Sequence, residues 1–214
     1  MKIAVIANGD IQDYGFTQRI VKECEYIVAC DGGLKHCQTM DIVPDCIIGD
    51  LDSTPPEILC KYEHIPLMRF PTDKDQTDLE LVMAYVCTAN DTKTASSIVI
   101  LGALGGRFDH QLGNLYVLMH AMQYGKDVEI RDESTVVRVV NSHLKLHSKD
   151  GKVVSIFPLT EETMGIVTEG LQYPLQNEGL AFGTARGLSN RLEGTEGHIT
   201  VKKGWLAVVQ AIQP

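Results

Sequence analysis

Short apolar runs alternate with helical segments through residues 1–124, and this alternation restricts the possible folds more than any other feature of the chain. The runs are Lys2–Ala7, Glu25–Cys30, Cys46–Ile48, Leu67–Phe70 and Ser97–Leu101. Each is apolar for most of its length, which is typical of strands that are buried on both faces of a parallel sheet. Since parallel strands need a crossover between them, usually a helix, the pattern predicts a mostly parallel α/β sheet.

Helical patterns fill the intervals between these runs. We expect short helices over residues 16–23, 34–40 and 54–62, the last beginning at Pro55-Pro56, because proline suits the first turn of a helix. Two longer helices have apolar faces, formed by Leu79, Val82, Met83 and Val86 in the first and by Leu112, Leu115, Met119 and Met122 in the second. The first face has the i, i+3, i+4, i+7 spacing of an amphipathic helix.

The pattern changes after Tyr124-Gly125, where short strands separated by Gly-, Asn- and Asp-rich turns replace the helices. The candidate strands are Asp127–Asp132, Val136–Asn141, Lys145–His147, Val153–Pro158, Met164–Thr168, Ile199–Lys202 and Leu206–Ala211. Regularly spaced short strands without helices are typical of an antiparallel sandwich. We therefore predict an α/β domain over residues 1–126 and an antiparallel β-sandwich domain over residues 127–214.

The composition of the chain argues against several classes of protein. The 214 residues include 44% hydrophobic and 22% charged side chains, an ordinary globular balance, and the formal net charge is −9. No Lys/Arg cluster suggests nucleic-acid binding, and no apolar run approaches the length of a membrane span. The six cysteines include no CxxC pair, which speaks against zinc and thioredoxin-like sites. Because no signal peptide precedes the first strand, we expect a cytoplasmic protein with reduced thiols.

The strongest candidate for chemistry is the segment Pro44–Ser53, a buried strand that runs into Gly49-Asp50-Leu51-Asp52. Residues two apart in an extended segment point to the same side, so Asp50 and Asp52 should lie together. Two such carboxylates repel each other unless a cation lies between them, and Mg²⁺ prefers oxygen ligands. The segment therefore indicates either a magnesium site or a solvated acidic turn.

Other polar residues follow other predicted strands, at the sheet edge where open α/β sheets bind ligands. Asp31 follows the second strand, and Asp75 and Asp78 lie near the start of a helix, where both can act as capping residues. For Asp75 the alternative is a place in the metal site. Lys74 is either a solvated charge or a phosphate contact.

Gly105-Gly106-Arg107 precedes the last helix of the first domain. Glycines let a phosphate approach the backbone at a helix N-terminus, and an arginine fork adds a permanent charge. The alternative is a simple turn with an exposed arginine. Asp109 and His110 either cap the helix or reach the site. The P-loop motif, the dinucleotide fingerprint, the nucleophile elbow and the zinc HExxH motif are all missing from the sequence.

These motifs, in this order, resemble those of thiamine pyrophosphokinases. They are Asp31-Gly32-Gly33, Pro44-Asp45 with Gly49-Asp50-Leu51-Asp52-Ser53, Asp73-Lys74-Asp75-Gln76-Thr77-Asp78, and Gly105-Gly106-Arg107-Phe108-Asp109-His110. In the second half, Gly170-Leu171-Gln172-Tyr173-Pro174-Leu175 and Gly187-Leu188-Ser189-Asn190 resemble the thiamine-side motifs of that family. Some relatives have Trp at the position of Tyr173. The resemblance covers most of the chain.

The resemblance implies an enzyme that transfers the terminal pyrophosphate of ATP to the hydroxyl of thiamine and releases AMP. It implies that the first domain binds nucleotide and metal, and that the sandwich binds thiamine. It also implies a homodimer in which the thiamine pocket combines the α/β domain of one subunit with the sandwich of the other.

The resemblance also assigns roles to individual residues. Mg²⁺ would be held by Asp50, Asp52 and Asp75, and Arg107 would bind phosphate. Tyr173 would lie against the thiamine rings. The remaining substrate-binding candidates are Asp31, Gly32, Lys74, Asp78, Gly105, Gly106, Asp109, His110, Ser189 and Asn190.

Two other functions stay open at this point. One is a pyrophosphokinase or kinase that acts on a different small alcohol. The other is a non-catalytic module that binds nucleotide or thiamine, which three separated acidic motifs disfavour because binding alone does not need them. No residue of the sequence is an obvious general base.

Overall fold

The computed structural model describes residues 1–212, which fall into two compact units, Met1–Glu133 and a second unit that begins at Ser134. The strands of the first unit are β1 (Lys2–Ile6), β2 (Tyr26–Cys30), β3 (Cys46–Gly49), β4 (Leu67–Arg69), β5 (Ser97–Leu101) and β6 (Asp127–Arg131). They lie in the order β6-β5-β1-β2-β3-β4, and every neighbouring pair is parallel. The predicted parallel α/β sheet is confirmed.

The apolar runs form the centre of this sheet. Ile3, Ile6, Ile98 and Ile100 are fully buried, and each contributes roughly 1.5–3 kcal/mol through removal of its side chain from water. Helices cover the sheet, as expected when both faces of the strands are apolar. The strands are therefore held rigidly, and the loops at their carboxyl ends start from fixed positions.

The helices of the first unit are α1 (Tyr14–Val21), α2 (Leu34–Thr39), α3 (Pro56–Leu59), α4 (Asp78–Thr88) and α5 (Phe108–Met122). Helix α4 begins with a capping box, in which the Thr77 hydroxyl accepts from the Glu80 N–H and the Glu80 carboxylate accepts from the Thr77 N–H. The capping role considered for Asp75 and Asp78 therefore belongs to Thr77, and Asp78 is left available for another role.

The apolar face predicted for α5 is partly wrong. Leu112 is 44% exposed, and the buried residues of the helix are Val117, Leu118 and Ala121. The exposed side of α5 also presents Phe108 and Tyr116, so the helix has apolar side chains in two directions. Periodicity detected that α5 is an amphipathic helix, but it did not identify the side that faces the sheet.

The second unit is built from antiparallel sheets. Its strands are β7 (Thr135–Val140), β8 (His143–His147), β9 (Val153–Pro158), β10 (Glu162–Glu169), β11 (Gln176–Ala181), β12 (Asn190–Arg191), β13 (Glu196–Thr200) and β14 (Leu206–Ala211). One sheet has the order β12-β9-β14-β7 and the other the order β11-β10-β13-β8. Their inner faces share a core that includes Leu146, Ile156, Ile166 and Leu206, which confirms the predicted sandwich.

Residues 127–132, counted among the candidate sandwich strands, contribute a strand to the parallel sheet instead. Strand β6 pairs in parallel with β5, from Ser97 opposite Asp127 to Ile100 opposite Ile130, and so completes the α/β sheet. Its alternating polarity resembles that of a sandwich strand, because β6 buries only Val128 and Ile130. Strands β11 and β12 were not predicted, since both consist mostly of polar residues.

All six cysteines are free thiols. Within residues 1–212 no helix is both long and apolar enough to cross a bilayer.

Candidate active site

A cavity of about 860 Å³ opens at the carboxyl ends of the strands in the first unit. The loops after β1, β2, β3 and β5 line it, together with the first turns of α4 and α5. In an open parallel sheet this is where the loops diverge and leave a crevice. Its volume lies in the range of sites for small-molecule substrates.

Two tight, strained turns form the floor of the cavity. Asp31 has a φ of 48° and Leu51 a φ of 64°, which are left-handed conformations that cost about 1–3 kcal/mol each in a residue with a side chain. Gly49 has a φ of 154°, and a Cβ at this position would lie 2.9 Å from the Asp31 Cα. Only glycine fits there, so the turns after β2 and β3 are packed directly against each other.

The Asp31 carboxylate joins these two turns. Its Oδ1 accepts from the Leu51 N–H at 3.1 Å, and its Oδ2 accepts from the Ser53 hydroxyl at 2.7 Å. Asp31 is only 8% exposed, so these hydrogen bonds replace the water that its charge has lost. Asp31 therefore holds the turn that carries Asp50.

Asp31, Asp50 and Asp78 can each present one carboxylate oxygen so that all three atoms lie within 4.8 Å of one another. The Lys74 ammonium lies 3.1 Å from Asp50 Oδ2 and 3.1 Å from Asp78 Oδ1. Asp78 Oδ1 is buried and yet accepts no hydrogen bond of good geometry from any residue in 1–212. Three carboxylates with one under-satisfied buried oxygen fit a hard divalent cation such as Mg²⁺.

The pKa values follow from this arrangement. Burial raises the pKa of Asp78, and the Asp50 and Asp31 carboxylates add to the rise although Lys74 opposes it. Burial alone would also raise the pKa of Asp50, but the Asp52 N–H and the Lys74 ammonium outweigh it and the pKa lies below the usual value. Lys74 resists the effect of burial because both carboxylates raise its pKa. The cluster therefore keeps an excess of negative charge.

The glycine turn lies on the opposite side of the cavity. Gly105 and Gly106 have φ values of 80° and 68° and line the cavity ahead of α5. The Arg107 guanidinium donates to Asp109 through Nε at 3.1 Å and Nη2 at 2.6 Å. This pairing raises the pKa of Arg107 and lowers that of Asp109. Both side chains are exposed and line the cavity with His110, so the fork lies at its rim.

Other predicted residues take less central positions. Asp52 lines the cavity but is exposed, whereas Asp75 is exposed and does not line it. Gly32 lies beneath the cavity, where a Cβ would overlap the Asn8 side chain. The structure thus brings Asp50 together with Asp31 and Asp78, and leaves Asp75 outside that group.

The sequence prediction missed the loop after β1, which adds Asn8, Gly9 and Asp10 to the cavity. His36 Nε2 lies 2.9 Å from the Gly9 carbonyl oxygen, which can only accept, so Nε2 carries the proton. His36 Nδ1 then accepts from the Tyr14 hydroxyl at 2.8 Å. The rule that located Asp31 and Asp50 would have found this loop, since it also follows a strand of the same sheet.

A second, smaller pocket of about 180 Å³ lies within the sandwich unit. It is lined by Ile156, Tyr173, Pro174, Leu175, Leu180, Arg186, Gly187, Leu188 and Asn190. Tyr173 lies at the edge of this pocket and is 65% exposed. The walls are mainly apolar, and they suit a flat organic ring better than an anion.

Asn190 fixes the backbone of Tyr173. Its Oδ1 accepts from the Tyr173 N–H at 3.1 Å, and its Nδ2 donates to the Tyr173 carbonyl at 2.7 Å. Ser189, the other predicted residue of this motif, does not line the pocket; its N–H donates to Ser155 Oγ at 3.0 Å. Arg186 was missed, and it lines the pocket while paired with Glu178.

The two sites differ in chemistry. The large cavity combines clustered carboxylates, a lysine, an arginine fork and a glycine turn at a helix N-terminus. This set can hold a metal ion and phosphates and can neutralise charge that spreads during phosphoryl-type transfer. The small pocket offers an aromatic ring and aliphatic walls.

Both units match family descriptions. Residues 17–130 match the catalytic domain of thiamin pyrophosphokinase, and residues 141–206 match the vitamin B1 binding domain of thiamin pyrophosphokinase.

Similar proteins include thiamine pyrophosphokinase 3 of Oryza sativa subsp. japonica, 33% identical over 69% of this chain. That match spans 58% of the rice protein, so the chain matches under two thirds of its length. Thiamine pyrophosphokinase of Bacillus subtilis is 26% identical over 86% of both chains. The crystal structure of the Bacillus subtilis enzyme has a TM-score of 0.86 at 22% identity and covers 100% of both chains, which supports the same fold.

Proposed function

The chain belongs to the thiamine pyrophosphokinase family, and on that premise we propose that it transfers pyrophosphate from ATP to the hydroxyl of thiamine. The products would be thiamine diphosphate and AMP, and the reaction would require Mg²⁺. The observation that carries the proposal is the cluster of Asp31, Asp50 and Asp78 in the large cavity. The same cavity is lined by the glycine turn before α5, which suits phosphate binding.

Asp50 and Asp78 are the residues best placed to hold Mg²⁺. Asp31 offers a third oxygen, although both of its oxygens already accept hydrogen bonds from the Asp50 turn. Asp52 lies at the exposed edge of the same turn and could hold the metal ion through water. Bound there, the ion would neutralise charge on the phosphates of ATP. The Asp75 ligand implied by the family resemblance is not part of this proposed set.

The opposite side of the cavity is proposed to hold the phosphates. Gly105 and Gly106 have no side chains to block the approach of phosphate oxygens, and the N-terminus of α5 supplies N–H donors and a partial positive charge. Arg107 is already oriented at the rim by Asp109 and can turn its fork to a phosphate. These residues orient the phosphate chain and stabilise the charge that develops on it.

The pocket in the sandwich unit is proposed to receive thiamine. Its aliphatic wall and the Tyr173 ring suit the flat rings of the vitamin, and Asn190 fixes the position of Tyr173. At about 180 Å³ it is smaller than the roughly 300–1,000 Å³ of sites that enclose a drug-sized ligand. The pocket therefore needs a second surface to enclose thiamine.

We propose that a second copy of the chain supplies that surface, giving a homodimer. In the sandwich unit Tyr173, Phe182 and Leu188 are all more than half exposed, and in the α/β unit Phe108 and Tyr116 are exposed on α5. Large apolar side chains exposed in this number are typical of surfaces that become buried on association.

A product assay tests the proposed reaction. The purified chain is incubated with thiamine, ATP and Mg²⁺, and the nucleotides are separated by chromatography with and without thiamine. We expect AMP and thiamine diphosphate to form in equal amounts, and EDTA to stop both. The Asp50→Asn variant serves as the inactive control.

Other outcomes have distinct meanings. Formation of ADP with thiamine monophosphate would show ordinary kinase chemistry in the same cavity. The absence of any thiamine-dependent nucleotide product, with AMP released when another small alcohol is added, would favour the alternative substrate class. The absence of nucleotide turnover with every alcohol tested would contradict the enzyme proposal as a whole.

A further inference from the structure

The Lys74 ammonium forms ion pairs with two members of the carboxylate cluster, Asp50 and Asp78. It is 3.1 Å from Asp50 Oδ2 and 3.1 Å from Asp78 Oδ1, and it donates to the Pro71 carbonyl at 3.0 Å. Its side chain is only 14% exposed, so it is one of the less accessible cations of the cavity. Lys74 therefore occupies the region between the two carboxylates that are best placed to hold a metal ion.

An ammonium and a divalent cation cannot both occupy this position. Like charges a few ångströms apart repel strongly where water is partly excluded, and each also needs the same oxygens, Asp50 Oδ2 and Asp78 Oδ1. The contact of Lys74 with Asp78 Oδ1 is an ion pair at 3.1 Å that lacks hydrogen-bond geometry.

We propose that Lys74 is a resident counter-cation that competes with the metal ion for Asp50 and Asp78 and must leave them when the metal binds. The inference rests on the proposed function, since it takes the metal site from there. It gives Lys74 two roles. Lys74 would weaken metal binding to the enzyme without substrate, and once the metal ion has displaced it, its ammonium would be free to bind an anion.

The surroundings of Lys74 allow this movement. The residue lies in the turn between β4 and α4, where Thr72, Asp73, Asp75 and Gln76 are exposed. Lysine has a long flexible side chain, so its ammonium can swing into the cavity without a change in the sheet. The phosphates of a bound nucleotide would give it a new anionic partner. Metal loading and nucleotide binding would then support each other through Lys74.

The test measures binding of Mn²⁺, a spectroscopic substitute for Mg²⁺, by the full chain without nucleotide. Electron paramagnetic resonance of the free ion gives the Kd for wild type, Lys74→Met, Lys74→Gln and Lys74→Arg. We expect the two neutral variants to bind Mn²⁺ about tenfold more tightly or better, because a competing charge is gone. Lys74→Arg should stay near the wild-type Kd. Lys61→Met, an equal charge change at an exposed position, is the matched control.

A second measurement follows the ammonium itself. In ¹⁵N-labelled protein an ammonium held in ion pairs gives a resolvable side-chain signal, and the signal absent from Lys74→Arg identifies Lys74. Addition of Mg²⁺ without nucleotide should shift or remove that signal and leave other lysines unchanged.

The results separate this inference from the proposed function. If the neutral variants bind Mn²⁺ with the wild-type Kd or more weakly, or if the Lys74 signal is unchanged at saturating Mg²⁺, the competition is refuted while the metal site stands. If neither wild type nor any Lys74 variant binds Mn²⁺, the metal site fails and the competition fails with it. Circular dichroism of each variant excludes unfolding as the cause.

Discussion

The cavity of the α/β unit and the pocket of the sandwich unit are built in opposite ways. The cavity measures about 860 Å³, and Asp31 and Asp50 at its floor are each 8% exposed. The pocket measures about 180 Å³, and Tyr173 at its edge is 65% exposed. One site is preorganised by buried charges and strained turns, whereas the other is an open surface whose main aromatic residue is still in contact with water.

This difference has consequences for mutation. Buried charges that hold one another cannot be changed singly without leaving another charge unpaired, so substitutions in the cavity should affect turnover strongly. An exposed aromatic ring contributes mainly through contact with a ligand, so substitutions in the pocket should affect the binding of one substrate. The following predictions test this contrast, beginning with the largest expected effect.

Asp50→Asn should have the largest effect. Asparagine keeps the shape and can still accept the Asp52 N–H, but it removes a charge from the cluster and leaves Lys74 with fewer anionic partners. We expect kcat to fall by at least about 10²-fold, the size typical of losing one preorganised charge-stabilising group, with little change in the thiamine KM. Steady-state kinetics at saturating ATP and Mg²⁺ measure both constants.

Asp75→Asn is the comparison variant for Asp50→Asn. The change in charge is the same, but Asp75 lies in the segment before α4, is exposed and does not line the cavity. Its loss of kcat should be far smaller. A loss as large as that of Asp50→Asn would show that the metal ligands are those implied by the family motif rather than those clustered in the structure.

Tyr173→Ala should act on the other site. Removing the ring should raise the thiamine KM roughly tenfold, the equivalent of about 1.4 kcal/mol of contact, and leave the ATP KM unchanged. Tyr173→Trp preserves a ring and should stay near wild type. If the ATP KM rises in parallel, the two sites do not bind separate substrates. If the thiamine KM is unchanged, Tyr173 does not contact thiamine.

Sequence reasoning found the elements whose pattern is local. The apolar runs predicted the first five strands of the α/β unit. Four of these strands are largely buried, as expected of strands that are apolar along most of their length, whereas β4 at the end of the sheet is largely exposed. It failed for β6 and for the polar strands β11 and β12, since the partner of a half-exposed strand is determined by tertiary contacts. The capping residue of α4 stayed open because Asp75, Thr77 and Asp78 lie close together and can all cap a helix; the structure assigns the cap to Thr77.

The candidate site was predictable in position but not in detail. The rule that ligands bind at strand ends located Asp31, Asp50 and the glycine turn. It could not show that Asp78 rather than Asp75 approaches Asp50, because that depends on the helical turn that begins at Thr77. No sequence pattern could show that Asp31 holds the Asp50 turn through Ser53, because this hydrogen bond joins two separate loops.

Ser53→Ala tests that contact and should have a smaller effect. The variant removes the hydroxyl that donates to Asp31 Oδ2 at 2.7 Å and leaves a buried charge with one hydrogen bond fewer. We expect the unfolding free energy to fall by about 1 kcal/mol and kcat to fall a few-fold, with the thiamine KM unchanged. Ser96→Ala, at an exposed serine, should change neither. If kcat also stays constant in Ser53→Ala, the Asp50 turn does not depend on Asp31 for its position.

The smallest effect concerns His36, which supports the loop after β1 beneath the same cavity. Burial lowers the pKa of His36, and its hydrogen bond to the Gly9 carbonyl opposes this only in part. A histidine in the unfolded chain titrates at about pH 6.5, so on acidification below that value the unfolded state binds the proton first. The stability that neutral His36 contributes is therefore present above that pH and is lost as the pH falls towards the folded pKa.

The glutamine of the His36→Gln variant cannot be protonated. The unfolding free energy of this variant should therefore decrease less between neutral and mildly acidic pH than that of wild type. Urea unfolding followed by helical circular dichroism reports the α/β unit, because α1–α5 all lie there. Fluorescence of Trp205, the one tryptophan, reports the sandwich unit in the same samples. The exposed His64→Gln should keep the wild-type dependence. Equal pH dependences in wild type and His36→Gln would mean that His36 is not held neutral beneath the cavity, and that this part of the site is less preorganised than its hydrogen bonds indicate.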